Sequence, residues 1–110
     1  MLPKKILEVI KKHEERIYKD IPSDEIIVNL IVNEVLNDDE ISQIWIYDDN
    51  ECKNLVLIEI LKKHEIKDFF IFCAALKNVN IKNVQELGAL LENDANEAIN
   101  SGGIINNTNV

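Results

Sequence analysis

The sequence predicts an all-α fold, a six-helix antiparallel bundle, and three observations carry that reading. Apolar residues recur at helical spacing: Phe69, Phe72, Cys73 and Leu76, then Val84, Leu87 and Leu91, step by three and four positions as one face of a helix does. Turn breakers are scarce, 3 Gly and 2 Pro in 110 residues, too few for a many-turned sandwich. Between them, Leu55–Leu61 is apolar except at Glu59, which suits a central helix buried on most sides.

The first helix is expected to begin near Pro3, a residue favoured in a first helical turn. Ile6, Val9, Ile10, Ile17 and Ile21 line its inner side, and Lys11, Lys12, Glu15, Arg16 and Lys19 face water. Glu8–Lys12 and Glu15–Lys19 are spaced as i, i+4 pairs, each worth about 0.2–0.5 kcal/mol if formed. Pro22 disfavours helical geometry at Ile21 and ends or bends the segment.

Ser23 is a suitable N-cap for a second helix, with Asp24 and Glu25 placing negative charge in its first turn. The β-branched run Ile26-Ile27-Val28 would also suit a strand. Glu25, Asn29, Asn33 and Asn37 recur every four residues, however, and make a stripe only on a helix. Asp38-Asp39-Glu40 opens a short third helix holding Ile41, Ile44 and Trp45, and Tyr47–Asn50 reads as a turn with Asn50 capping the central helix.

After the basic break Lys62-Lys63-His64, Ile66 and Asp68 lead into a fifth helix over Phe69–Leu76. A sixth helix of about ten residues starts near Ile81–Asn83, with Gly88-Ala89 permitting close approach of a neighbour. Beyond Glu92 the apolar pattern thins. The bundle is therefore expected to occupy residues 1–92, and residues 93–110 to form a flexible tail or linker containing Asn and Gly.

Composition narrows function. The hydrophobic content of 46% belongs to one globular domain, and the net charge of −8 argues against nucleic acid and anionic membrane as partners while suiting a basic protein. Lys4, Lys5 and Glu8 interrupt any leader-like apolar stretch, and no run approaches the roughly 20 apolar residues a bilayer span needs. The expectation is a soluble, cytoplasmic chain. Cys52 and Cys73 make no disulfide framework, and with His13 and His64 they lack the spacing of a zinc site. Cys73 is expected to point inward, unsuited to act as a nucleophile with His64. No glycine-rich phosphate loop or acid–base carboxylate pair is present, so neither cofactor nor catalysis is expected. Trp45 and the phenylalanines are expected to lie in the core.

Taken in order, these segments resemble a caspase recruitment domain (CARD), a branch of the six-helix death-fold superfamily. The likeness spans Leu2–Leu91 and is clearest from Ile60 to Leu76, where an apolar fourth helix, the break at Lys62–His64 and the Phe69-Phe70-Ile71-Phe72-Cys73-Ala74-Ala75-Leu76 segment are similar to the family's "F..F..AL" pattern. Asn83–Leu91 looks like its closing "HLAELL" helix, Ile31–Glu40 like its "LL....L..EE" junction, and Arg16 stands where a basic residue is common. The resemblance implies a bent first helix and a non-catalytic module that binds other CARDs, such as a caspase, an adaptor or an oligomerising scaffold, in apoptotic or innate-immune signalling. A caspase prodomain would suit it, and self-association is a further expectation. In the family a basic patch on the first and fourth helices meets an acidic patch on the second and third. Here Asp24, Glu25, Glu34, Asp38, Asp39 and Glu40 would supply the acidic surface, and Lys11, Lys12, Arg16 and Lys19 the basic one. The start of the fourth helix departs from the pattern: Asp49 and Glu51 face only Lys53, which leaves the basic surface to the first helix. The alternative is a stand-alone acidic inhibitor or immunity protein that blocks a basic enzyme or toxin.

Overall fold

A computed structural model describes the backbone of residues 1–107 and the side chains of residues 1–101. Six helices follow one another: α1 (Lys4–Asp20), α2 (Ser23–Val32), α3 (Asp38–Trp45), α4 (Asn50–Lys62), α5 (Ile66–Asn78) and α6 (Lys82–Asn107). No strand occurs among the described residues. The second segment is a helix, as expected against its β-branched residues, because burial of Ile26, Ile27 and Leu30 on one face outweighs a weak strand preference; of the polar stripe, Glu25 and Asn29 lie within it and Asn33 ends it.

The core is continuous. Ile6, Ile10 and Ile17 of α1, Leu57, Ile58 and Leu61 of α4, Phe69, Phe72, Cys73 and Leu76 of α5, and Val84, Leu87 and Leu91 of α6 all exclude solvent. α6 packs most heavily on α5 and then on α1, α4 lies against α1, α2 and α3, and α2 also meets α5. α3 packs chiefly on α4. At Gly88 an added Cβ would lie 2.8 Å from the Leu76 Cβ and 2.9 Å from the Cys73 carbonyl oxygen, so the α5–α6 contact requires the missing side chain.

α1 is uninterrupted from Lys4 to Asp20. Pro22 does end it, leaving carbonyls of the last turn without helical donors. α4 supplies them. The buried Asn54 amide donates to the Tyr18 and Ile21 carbonyls at 3.0 and 2.9 Å, and the Asn50 amide donates to Ile21 at 2.8 Å. At the other end of α1, the Leu2 amide donates to the Lys62 carbonyl at 2.9 Å.

Several expected details change. Ser23 is not a cap: it is the first residue of α2, buried, and both its amide and hydroxyl donate to the Asn50 carbonyl oxygen. Asn50 is thereby committed to the α1–α2 corner, and Asp49 caps α4 by accepting from the Cys52 amide at 2.9 Å. Asn37 leaves the α2 stripe and caps α3 reciprocally with Glu40. Neither Glu8–Lys12 nor Glu15–Lys19 forms an ion pair; Lys12 reaches Asp94 instead. The sixth helix does not stop near Glu92. Ala95 is fully buried and Asp94 bonds α1, so the bundle extends past the expected boundary and residues 93–107 continue α6. Its inner face there carries the buried Ala95 and the half-buried Ala98, side chains too small to mark it in the sequence, beside Asp94. Residues 108–110 of the expected tail lie outside the described residues.

Candidate interaction surfaces

Two of the three surface groupings carry the charges singled out from sequence. At the α2–α3 junction the chain turns through a Schellman arrangement, in which the Glu34 amide donates to Ile31 and the Val35 amide to Leu30. Glu34 occupies the position that glycine usually takes there, with φ at 59°. Asp38 and Asp39 follow in the first turn of α3, exposed, where their charge also favours the helix N-terminus by about 0.3–1 kcal/mol each. Glu34, Asp38 and Asp39 form no ion pair among the described residues.

Glu40 belongs to the same turn but is engaged internally. One oxygen accepts from the Asn37 amide, and the other lies 2.7 Å from His64 Nε2. The opposite ring nitrogen, Nδ1, lies 2.9 Å from Asp68, so His64 ties α3 to the first turn of α5 through two carboxylates. Burial works against charge on this imidazole, yet the bonds to Asp68 and Glu40 outweigh it and raise its pKa. From sequence His64 was part of a basic break, set aside as a zinc ligand and as a partner for Cys73. Its partners are 24 positions before it and 4 after, and only the fold brings the former to it.

Asp24 and Glu25 do not join this group. Asp24 pairs with Lys53 at 2.9 Å near the start of α4, whereas Glu40 meets His64 just past its end, a separation of about 16 Å at 1.5 Å per residue. Glu25 lines a shallow groove between α2 and α5 with Val28, Val32 and Val79. The six acidic residues therefore divide into two clusters.

On α1, Lys11 and Lys19 are exposed and free of ion pairs among the described residues. Lys12 and Arg16 are spoken for: Lys12 with Asp94 at 3.4 Å, Arg16 with Asp20 at 3.8 Å and with the Asn83 carbonyl at 3.2 Å. His13 also contacts Asp94, at 2.8 Å, and that hydrogen bond is the chief cause holding the Asp94 carboxyl below its usual range. These contacts fasten α6 to α1. Lys4 and Lys5 extend the open positive charge toward the chain's start.

A third grouping was not expected. Trp45, assigned to the core from sequence, is 40% exposed, followed by Ile46 at 74% and Tyr47 at 41%. α3 spans only eight residues and buries Ile44 alone, so the residues after it run out over solvent. The phenylalanines divide: Phe69 and Phe72 are buried, and Phe70 is half-buried with its ring edge-on to Phe69 at 5.8 Å.

No protein-family model, curated protein or solved structure matches the chain.

Both cysteine thiols are held toward the protonated form. Burial raises the Cys73 thiol to about 12, and a hydrogen bond with Asp49 leads the causes that raise Cys52. Among the described residues no group of three or more His, Cys, Asp or Glu side chains could hold a metal ion, and no helix is long and apolar enough to cross a membrane.

Proposed function

We propose that this chain is a CARD-like protein-interaction module that binds another CARD through opposed charges, in apoptotic or innate-immune signalling. The observation that carries the reading is the bias of uncommitted charge: Glu34, Asp38 and Asp39 at the α2–α3 junction, against Lys4, Lys5, Lys11 and Lys19 on α1, which outnumber the exposed, unpaired Glu8 and Glu15 of that helix. Complementary fields of this kind steer association and set register, and add less to raw affinity. An antiparallel death-fold course is supported by helix-end contacts. The start of α1 meets the end of α4 through Leu2 and Lys62, while its end meets the start of α4 through Asn54. α3 relates to α4 likewise, with Glu40 at His64 and Trp45 under Lys53.

The working acidic surface is narrower than six residues. Glu34, Asp38 and Asp39 are its core, Asp24 and Glu40 being held by Lys53 and His64. On the basic side Lys11 and Lys19 lead, because Lys12 and Arg16 already have partners.

The test is capture of purified CARDs on the immobilised chain at about 50 mM and about 500 mM salt, a range over which screening of exposed charges rises steeply. Retention of at least one CARD at the lower salt and its release at the higher is the expected result. Failure to retain any, with capture and inhibition of a basic enzyme or toxin, would select the acidic-inhibitor reading.

A further inference from the structure

We propose that the α3–α4 corner is a second docking surface, apart from the Asp38–Asp39 junction, and that its occupant is a cationic amphipathic segment of a partner protein. The corner presents three consecutive large apolar or aromatic side chains, Trp45, Ile46 and Tyr47, exposed by 40%, 74% and 41%. Ile46 has no packing role: it is the residue after α3, and its side chain stands in solvent. Trp and Tyr are the residues that most often anchor interfaces, because they bury large area at low rotamer entropy.

The charge around them selects the partner. Asp48, Asp49 and Glu51 follow directly and are exposed, and Asp24 reaches the same corner from α2. One cation answers these four carboxylates. Lys53 places its ammonium 5.0 Å from the centre of the Trp45 ring and 2.9 Å from Asp24. That geometry shows what the corner accepts, an ammonium or guanidinium held between an aromatic face and a carboxylate. Tyr47 is exposed and is followed by Asp48, Asp49 and Glu51, none of which forms an ion pair among the described residues. A partner segment with lysines or arginines around one or two apolar side chains would meet all these features. The charges would govern approach, and burial of Ile46 and the rings would govern residence time.

Trp45 is the chain's one tryptophan, so its fluorescence reports this corner directly. The full chain is titrated at about 150 mM salt with a Trp-free synthetic peptide of Leu and Lys arranged as an amphipathic helix, and with a Lys/Ser peptide of equal length and charge. The expected result is a saturable blue shift with the Leu/Lys peptide and binding about tenfold or more weaker with Lys/Ser. Ile46→Ser should weaken the Leu/Lys peptide by a similar factor while leaving the melting temperature unchanged. Asp38→Lys with Asp39→Lys should leave this binding nearly as it was, so failure here and failure of the homotypic reading are read separately. Equal binding of the two peptides, or an Ile46→Ser variant that binds as well as the parent, overturns the proposal. So does a parent chain that sediments as a dimer which Ile46→Ser dissociates, because the occupant would then be a second copy.

Discussion

Replacing Glu34 by glycine is expected to stabilise the protein and weaken its binding at once. Glu34 sits at φ 59° in the left-handed region, between the Ile31 carbonyl that its amide reaches and the Leu30 carbonyl taken by Val35. A side chain with a Cβ costs about 1–2 kcal/mol there relative to glycine. Glycine returns part of that, about 0.5–1 kcal/mol, through the greater freedom of its unfolded chain. The Schellman bonds are made by backbone and survive the change, and Leu30 and Val35 stay buried. The net gain is about 0.5–1 kcal/mol, a rise in melting temperature of about 2–5 °C for a domain of this size. Urea unfolding measures the gain, and titration with a CARD captured by the parent chain measures the binding. A more stable variant with weaker binding means that a strained carboxylate is kept for its charge. A Glu34→Gly variant less stable than the parent would refute the reasoning, by showing that the glutamate side chain contributes more to the fold than its conformation costs.

Two further outcomes follow from the packing. Gly88→Ala gains helix propensity of about 1 kcal/mol, yet its Cβ would meet the Leu76 Cβ and the Cys73 carbonyl below 3.0 Å, and overpacking costs about 1–3 kcal/mol. The carbonyl is backbone and yields least, so thermal denaturation should find the variant less stable; a variant equal to or above the parent would contradict the tight α5–α6 contact. His64 gives a pH signature. Its folded pKa lies above 6.5, so the stability it contributes is fully present below that value and fades as pH rises through the folded one. Melting temperature should therefore fall from about pH 5.5 to pH 8 by more in the parent than in His64→Gln, and equal slopes would argue against the two-carboxylate clamp. The Asp94 carboxyl, held below 3.8, loses its own contribution only as pH falls through its folded value, below this window.

What could be read from the sequence was set by periodicity. Ile6, Val9, Ile10 and Ile17 recur on one face and all are buried. Gly88 stood out because a glycine inside a helix pays in propensity and needs a reason, which the Cys73 carbonyl provides. Long-range polar contacts were not legible in the same way. Asn54 sits between Lys53 and the apolar run that starts at Leu55, and its role exists only because Pro22 leaves α1 carbonyls open 33 and 36 positions earlier. His64 met Glu40 by the same kind of coincidence in space. Trp45 misled because an aromatic at helical spacing from Ile41 implies burial, whereas a helix of eight residues has too little length to bring it inside. The continuation of α6 was hidden by composition: Asn and Ala carry almost no periodic signal, and its attachment depends on Asp94 meeting Lys12 and His13 of α1.

The charge-opposition claim is tested most directly by reversing Asp38 and Asp39 to lysine in one protein and measuring its affinity for a CARD that the parent chain binds. These two carboxylates are exposed, bear no ion pair among the described residues and lie outside the His64 clamp, so reversal should keep the fold while costing at least about 0.6–2 kcal/mol at the α3 N-terminus, and affinity is compared well below the variant's melting temperature. Binding weaker by tenfold or more, about 1.4 kcal/mol, with much of the salt dependence gone, is the expected result. Undiminished affinity, with the parent's salt dependence retained, would contradict it.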